Sequence, residues 1–486
     1  MSGPPFRVAE MSRSPHADLD LHLEVGETRP ARALERALRD AIAAGRVSPG
    51  GRLPTSRGLA TDLGIARSTV AEVYGQLAAE GWLESRVGAG TWVAQTAAPG
   101  PAGRDTAPPG TVPRPYWGGI PDTSLFPRRE WAAAARRAAD VALSAELGYP
   151  DRRGSLRLRQ ELAGYLRRTR GAQASAERIV IGQGFSGLLA LVCRALAEAG
   201  GRTLAVEEYG HSAHREIAAA AALDLIPLPV DGEGADVTRL RPGIDAALLT
   251  PAHQFPTGVP LSPARRRAVI AWAQQSGALV IEDDYDGEFR YDRRAVGALQ
   301  GMAPDQVIYI GTSSKALAPA VGLGWAVVPQ ARMAVLLAQR PVLGEPRDTL
   351  NQLTLAEFIG AHSYDRHVRR MRAEYRRRRE HLTAQLAARV PAARLAGVPA
   401  GIQALVALPD GTDPDQVTAA GLRRGLAFSA LREYAASGGI AQPAAVVLGF
   451  GASPATRALA DIDLAVAAIE DGIADHARPA KESIDG

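Results

Sequence analysis

Near the amino terminus, apolar residues recur at helical spacing; further along, they form uninterrupted runs of about four. In residues 31–45, Leu34, Leu38 and Ile42 fall on one helical face, and Gly45 stops the pattern. Residues 55–63 predict a second, shorter helix buried through Leu59 and Leu63. The turn Gly64-Ile-Ala follows, and then a helix from Arg67 to Glu80 presents Val70, Val73, Tyr74 and Leu77 to the same core before Gly81. Trp82 to Val93 reads as two short strands around a glycine-rich tip. Helix, glycine turn, helix and hairpin make a winged helix-turn-helix, whose second helix can enter a DNA major groove by its amino end. Arg67, Ser68 and Thr69 stand there, all able to contact phosphates or base edges. A three-helix packing unit without a DNA role would show the same pattern. Charge does not decide between them, because in residues 51–93 Arg52, Arg57, Arg67 and Arg86 are balanced by Asp62, Glu72, Glu80 and Glu84.

Residues 95–115, rich in Pro, Gly and Ala, read as a linker between a small unit (17–94) and a large one (116–478), with a polar tail at 479–486. In the large unit, helical patterns alternate with the runs Arg178-Ile-Val-Ile, Thr203-Leu-Ala-Val, Ala246-Ala-Leu-Leu, Ala278-Leu-Val-Ile and Val307-Ile-Tyr-Ile. Such alternation predicts an α/β domain with a largely parallel sheet.

A length of 486 residues suits two or three domains. With 46% hydrophobic and 22% charged residues the chain is neither fibrous nor largely disordered. No run approaches the ~18 apolar residues of a membrane span, and the first twenty residues hold no secretory apolar core. The single cysteine, Cys193, excludes a disulfide framework and cysteine-based metal sites, so a cytoplasmic protein is expected. The net charge of +4 points only weakly to an anionic partner. More telling, only two of the 56 basic residues are lysine: Lys315, and Lys481 in the tail. Where arginine supplies nearly every positive charge, an internal lysine suggests chemistry that arginine lacks: loss of a proton and attack on a carbonyl.

Lys315 lies in Tyr309-Ile-Gly-Thr-Ser-Ser-Lys-Ala-Leu-Ala-Pro, just after an apolar strand. A lysine among small hydroxyl residues can form an aldimine with pyridoxal phosphate while the hydroxyls reach its phosphate. Such a cofactor also needs a carboxylate at its ring nitrogen. Ala278-Leu-Val-Ile-Glu-Asp-Asp-Tyr-Asp offers Asp283, with Tyr285 two residues on; the same acids would also suit a solvated turn or a divalent-metal site. Gly182, Gly184 and Gly187 spell G-x-G-x-x-G between a strand and a helix, with Glu207 and Glu208 after the next strand, as in dinucleotide-binding folds. A glycine turn into a helix binds any phosphate, however, and only the pyridoxal reading also employs Lys315 and Asp283. Gly184-Phe-Ser-Gly lacks the G-x-S-x-G spacing of a serine hydrolase.

Gly51-Arg-Leu-Pro-Thr-Ser-Arg-Gly-Leu-Ala, Leu63-Gly-Ile-Ala-Arg-Ser-Thr-Val and Gly88-Ala-Gly-Thr-Trp-Val resemble the GntR-type winged helix. Ile120-Pro-Asp-Thr-Ser-Leu-Phe-Pro, Thr250-Pro-Ala-His-Gln-Phe-Pro-Thr-Gly, Glu282-Asp-Asp-Tyr-Asp-Gly-Glu-Phe and Gly311-Thr-Ser-Ser-Lys-Ala-Leu-Ala-Pro resemble the aminotransferase-like part of MocR/PdxR regulators. The resemblance spans about residues 30–475 and implies a GntR head on a fold-type I, class I aminotransferase-like domain. It implies DNA contacts from Arg57, Arg67, Ser68, Thr69 and the wing at Gly88. It also implies an aldimine at Lys315, Asp283 at the ring nitrogen, Tyr285 at the ring hydroxyl, and Thr312 with Gly184–Phe185 at the phosphate. Phe185 or a near neighbour would stack on the ring. Tyr149 would reach the phosphate of the partner subunit in a homodimer, commonly head-to-tail.

Three positions depart from the family pattern. Ala66 replaces a frequent capping serine, Gly322 a phosphate-clamping arginine seven residues after the lysine, and Val447 the arginine that binds a substrate carboxylate. The last argues against amino-acid transamination. Among the remaining features, Arg215, with His214, is a candidate for an anionic effector, and His253 is expected to line the pocket. His211 and His214 are three apart, but no further ligands that would complete a metal site are evident. The eight arginines from Arg366 to Arg379 suit a solvated helix beside a dimer interface better than a DNA-tracking face. The expected protein is a DNA-binding regulator that senses pyridoxal phosphate or an amino compound; a working aminotransferase with a DNA-binding head is the alternative.

Overall fold

The computed structural model describes residues 30–43, 45–86, 90–94, 113–149, 151–292, 296–343, 348–436 and 443–476. They fall into two compact units that divide between Gly110 and Thr111.

The small unit has helices Pro30–Ala43, Ser56–Leu63 and Arg67–Ala79, then strands Leu83–Arg86 and Gly90–Val93 paired antiparallel. Leu34, Leu38, Ile42, Leu59, Val70, Val73, Leu77, Leu83 and Val93 form one buried cluster, so each amphipathic pattern closes on the same core. Thr55 caps the second helix by accepting from the Gly58 amide, and Gly64 ends it in the left-handed region. The third helix starts without that help, because Ala66 has no side chain to cap it.

In the large unit the central sheet runs Ile179–Gln183, Leu323–Val327, Val307–Thr312, Leu279–Asp284, Ala246–Leu249, Thr203–Glu207 and Asp224–Leu228. All strands point the same way except Leu323–Val327, which is antiparallel to both neighbours. Most are buried along their length, as apolar runs covered by helices on both faces must be. Strand Leu323–Val327 contains Gly324, where a Cβ would fall 2.7 Å from the carbonyl of Gly184. That missing side chain lets the first turn of helix Gly184–Glu198 settle against the sheet. A second, four-stranded antiparallel sheet (Arg394–Leu395, Ala404–Ala407, Ala445–Leu448, Ser429–Ala430) packs with helices Pro414–Arg423 and Ala458–His476.

The linker expected over 95–115 lies outside the described residues up to 112, and its last residues are corrected. Arg114–Pro115 form a strand parallel to Leu426–Ala427, with Arg114 paired to the buried Asp461. Residues 17–29, the wing tip with Gly88, and the tail 479–486 also lie outside the described residues. The arginine-rich helix, Ser363–Arg389, is only partly solvated. Arg378 is fully buried, pairs with Asp122 and Glu374, and donates to the carbonyls of Phe450, Gly451 and Ser453. Arg372 and Arg376 donate to the carbonyls of Glu288 and Tyr291. Much of the helix's charge therefore holds the large unit together. Among the described residues, no helix is long and apolar enough to cross a membrane, and no acid, histidine or cysteine cluster suits a metal.

Candidate functional site

The carboxyl ends of the parallel strands open into a cavity of about 350 Å³, where α/β sheets commonly bind ligands. Gly184 and Phe185 border it from the start of helix Gly184–Glu198, Glu207 from the end of strand Thr203–Glu207, Asp283 and Tyr285 from the central strand and just beyond it, and Thr312, Ser314 and Lys315 from the end of strand Val307–Thr312 and the loop after it. Gly118, Gly119 and Ile120 close one side.

Alternation along strand Leu279–Asp284 sorts its acids. Glu282 turns away and accepts from the amides of Leu299 and Gln300, at 2.8 and 3.0 Å. Asp284 turns the same way into a bidentate pair with Arg170, at 2.6 and 2.8 Å, and accepts from the Tyr309 hydroxyl. Only Asp283, between them, borders the cavity, and its Oδ1 is buried with no hydrogen-bond partner. Burial, reinforced by Asp284, holds the Asp283 carboxyl well above the usual carboxylate range, against the pull of Lys315. Enclosure of the Lys315 amine lowers it from the usual lysine range, against the pull of Asp283 and Asp286. Both shifts favour neutral forms, which is what a nucleophilic amine requires.

Thr312 Oγ1 lies 2.9 Å from Ser314 Oγ and accepts from the Ser314 amide, so two hydroxyls gather near the amino end of helix Gly184–Glu198. Gly322 adopts φ +67° and is not among the cavity's lining residues. Phe185 lines the cavity, but its ring packs on His214, 4.6 Å between centroids. His214 stacks on His211 at 5.2 Å, and His211 faces Phe255 at 6.3 Å. This row of rings was not predicted, and nothing in the spacing of the two histidines signalled it. Burial, with His211 and Lys315 nearby, pushes His214 down to about 3, so it is neutral at ordinary pH.

Two expectations need correction. His253 does not line the cavity: it is buried behind Tyr285, 2.7 Å from Asp286 and 3.0 Å from the Tyr285 hydroxyl. Arg215 does border the cavity, but its terminal nitrogens donate to the carbonyls of Gly210, Tyr434 and Ala435 at 3.1 Å, latching two chain segments rather than offering a fork to an anion. Val447 is fully buried in a cluster with Tyr209, Leu405, Leu431 and Ala445, just beneath Gly118 at the cavity rim. Tyr149 stands 91% exposed. In the small unit Arg57, Arg67 and Ser68 are exposed and Thr69 half-buried.

The residues present fit pyridoxal phosphate. An enclosed amine, a buried carboxylate oxygen without a partner, a phenol and a hydroxyl-lined helix start surround one cavity.

Residues 121–429 match the family model for aminotransferases of class I and II, and residues 30–93 that for bacterial regulatory proteins of the gntR family. The HTH-type pyridoxine biosynthesis transcriptional regulator PdxR of Corynebacterium glutamicum is 33% identical over 444 residues, 90% of this chain and 95% of its own. The probable rhizopine catabolism regulatory protein MocR of Rhizobium meliloti is 33% identical over 372 residues, 72% of this chain and 75% of its own. Among solved structures, the α-aminoadipate aminotransferase LysN of Thermus thermophilus superposes with a TM-score of 0.64 at 22% identity, over 74% of this chain and 93% of that one, a likeness of fold. With both family matches on one chain and a relative alike over nine-tenths of it, the protein belongs to the PdxR/MocR-type transcriptional regulators, in which a gntR winged helix precedes a domain of the aminotransferase class I and II fold.

Proposed function

We propose that this regulator binds operator DNA through its winged helix and takes up pyridoxal 5'-phosphate in the large unit's cavity, with occupancy setting its affinity for DNA. The observation that carries this reading is Asp283 Oδ1, a buried carboxylate oxygen left without a partner in the cavity that holds the lone internal lysine. When bound, the cofactor would supply an aldehyde carbon and an electron-accepting ring. Lys315 would attach it covalently. Asp283 would hold the ring-nitrogen proton, Tyr285 the ring hydroxyl, and Thr312, Ser314 and Gly184–Phe185 the phosphate. Arg57, Arg67, Ser68 and Thr69 would contact the DNA. The exposed Tyr149 suits a reach to the partner's phosphate in a head-to-tail homodimer.

Val447 supports sensing over turnover, since it brings no cation to the rim where a substrate carboxylate would need one. An effector is then the cofactor itself or an amine without a carboxylate. The PdxR relative, named for pyridoxine biosynthesis, supports the former, and with it control of vitamin B6 genes. The test is a spectrum: protein mixed with pyridoxal phosphate should gain a borohydride-reducible absorption band, and Lys315→Ala should not. A reducible band in Lys315→Ala would defeat the assignment. Sustained multiple turnover of amino acids with a 2-oxo acid, at ~1 s⁻¹ or above, would promote the aminotransferase reading instead.

A further inference from the structure

The first turns of helix Ser363–Arg389 carry a second concave site, separate from the cavity around Lys315. Ser363, Arg366, Arg369 and Arg370 line a groove of about 490 Å³, and Glu130 of helix Arg128–Val141 faces them across it. None of these residues lines the first cavity. Arginines at i, i+3 and i+4 share one helix face and repel one another, so acids are expected beside them. Further along the same helix that holds: Arg377 pairs with Glu374, and Arg378 with Glu374 and Asp122. In the groove, three guanidiniums meet one carboxylate.

That carboxylate is loosely held. Glu130 stands 3.5 Å from Arg370, and both side chains are about half exposed. Arg366 donates to the Ala361 carbonyl at 3.0 Å and to Ser363 Oγ at 2.7 Å. Ser363 is buried, and its hydroxyl, accepting from Arg366, keeps its own hydrogen to donate. Arg369 is exposed and has no partner among the described residues. Donors and positive charge therefore exceed acceptors, which complements a phosphate dianion; guanidinium forks bind such oxygens two at a time. Glu130 adds a condition, because it repels a bare anion but accepts from a hydroxyl. A DNA backbone would need the positive face to continue, and on these helices acids interrupt it. Glu357 holds Arg137 at 3.5 Å, Asp365 holds Arg168 at 2.9 Å, and Glu374 holds Arg377 at 2.9 Å.

The same turn reaches inward as well. His367, buried between Arg366 and Arg369 in sequence, lies with Nε2 2.7 Å from the carbonyl of Ala316, the residue after Lys315. The carbonyl can only accept, so Nε2 carries the hydrogen. We propose that the groove is a second ligand site, binding a small phosphate monoester that bears hydroxyl groups, and that its filling is felt at Lys315 through His367. A ligand drawing Arg366, Arg369 and Arg370 together holds the turn whose histidine grips the lysine loop. The binding half stands apart from the cofactor reading of the cavity, and the coupling half rests on it.

The probes are glycerol phosphate and inorganic phosphate, titrated by calorimetry into the full chain at fixed ionic strength, with pyridoxal phosphate already added. Wild type should bind glycerol phosphate at millimolar concentration or below and prefer it to the inorganic ion. Replacing Arg369→Gln and Arg370→Gln together should weaken it at least about tenfold. Glu130→Gln should instead tighten inorganic phosphate about threefold, a direction that misfolding cannot give. No binding, or binding unchanged in the arginine variant, would overturn the site. If that variant lowered the salt slope of DNA binding while binding the probe normally, the face would belong to DNA instead. For the coupling, glycerol phosphate should shift the Kd of pyridoxal phosphate about fivefold in wild type and leave it fixed in the arginine variant. No shift in wild type would overturn the coupling, and an equal shift in both would place the probe in the first cavity. Should wild type take up no pyridoxal phosphate, the cofactor reading fails, while arginine-dependent binding of the probe still decides the second site.

Discussion

Arg57, Arg67 and Ser68 of the small unit stand in solvent, whereas Asp283 of the large unit is buried with an oxygen unpaired and the Lys315 amine is enclosed beside it. Exposed charges cost the fold little, and their attraction for a phosphate backbone is screened by salt. Buried groups cost the empty fold stability, shift toward neutrality, and recover that cost only when a ligand completes their hydrogen bonds. One unit should therefore answer to ionic strength and the other to pH and ligand. A chain carrying both has the parts of a switch.

Lys315→Ala should sharpen this contrast most. It is expected to abolish covalent uptake of the cofactor while leaving the winged helix folded, checked by absorbance and by DNA binding of the ligand-free protein. Next comes Glu207, whose burial pushes its carboxyl up to about 7. The folded protein keeps this proton up to that pH, whereas the unfolded chain loses it near 4.5. Its contribution to stability is thus full below pH 4.5 and is lost as pH rises toward 7, a change on the order of 3 kcal/mol. Wild type compared with Glu207→Gln by urea denaturation should look relatively more stable at pH 5 than at pH 8; a pH-independent difference would mean the carboxyl titrates normally.

On the DNA side, Arg67→Ala and Arg57→Ala should each lower the salt slope of operator binding by about one unit for every phosphate the arginine had neutralised, with pyridoxal phosphate uptake unchanged. An unaltered slope would remove that arginine from the interface. The smallest effect is expected at Ala66, which begins the recognition helix in an extended conformation without a side-chain cap. Ala66→Ser should raise the small unit's stability by about 1 kcal/mol, measured by thermal denaturation. No gain would mean that the helix start is already satisfied in another way.

The two units also differed in how far sequence reached. Local pattern places the residues of a winged helix, so helix spacing, Gly64 and Gly81 were enough to put Arg67 at the exposed start of helix Arg67–Ala79. In the large unit, apolar runs announced five of the seven strands, and the scarcity of lysine singled out Lys315. Leu323–Val327 escaped because Gly324 interrupts its apolar run, and that glycine exists for a contact with Gly184 across the sheet. Four acids lie from Glu282 to Asp286, and Asp283 was chosen for its place at the end of a buried strand, with the resemblance pointing to the same residue. The structure supplies the physical reason, since Arg170 and two backbone amides claim its neighbours. His253 was misplaced, and the partners of Arg215 went unseen, for a related reason. Their partners, Asp286 and the carbonyls of Tyr434 and Ala435, are nearby only in the folded chain.

The most direct test of the switch is a DNA-binding titration with and without pyridoxal phosphate, using a fragment selected by this protein from a random pool. Wild type should change its apparent Kd by at least about fivefold on adding the cofactor, the lower range of typical coupling between sites, and Lys315→Ala should show no change. An equal shift in both proteins, or none in wild type, would contradict the account.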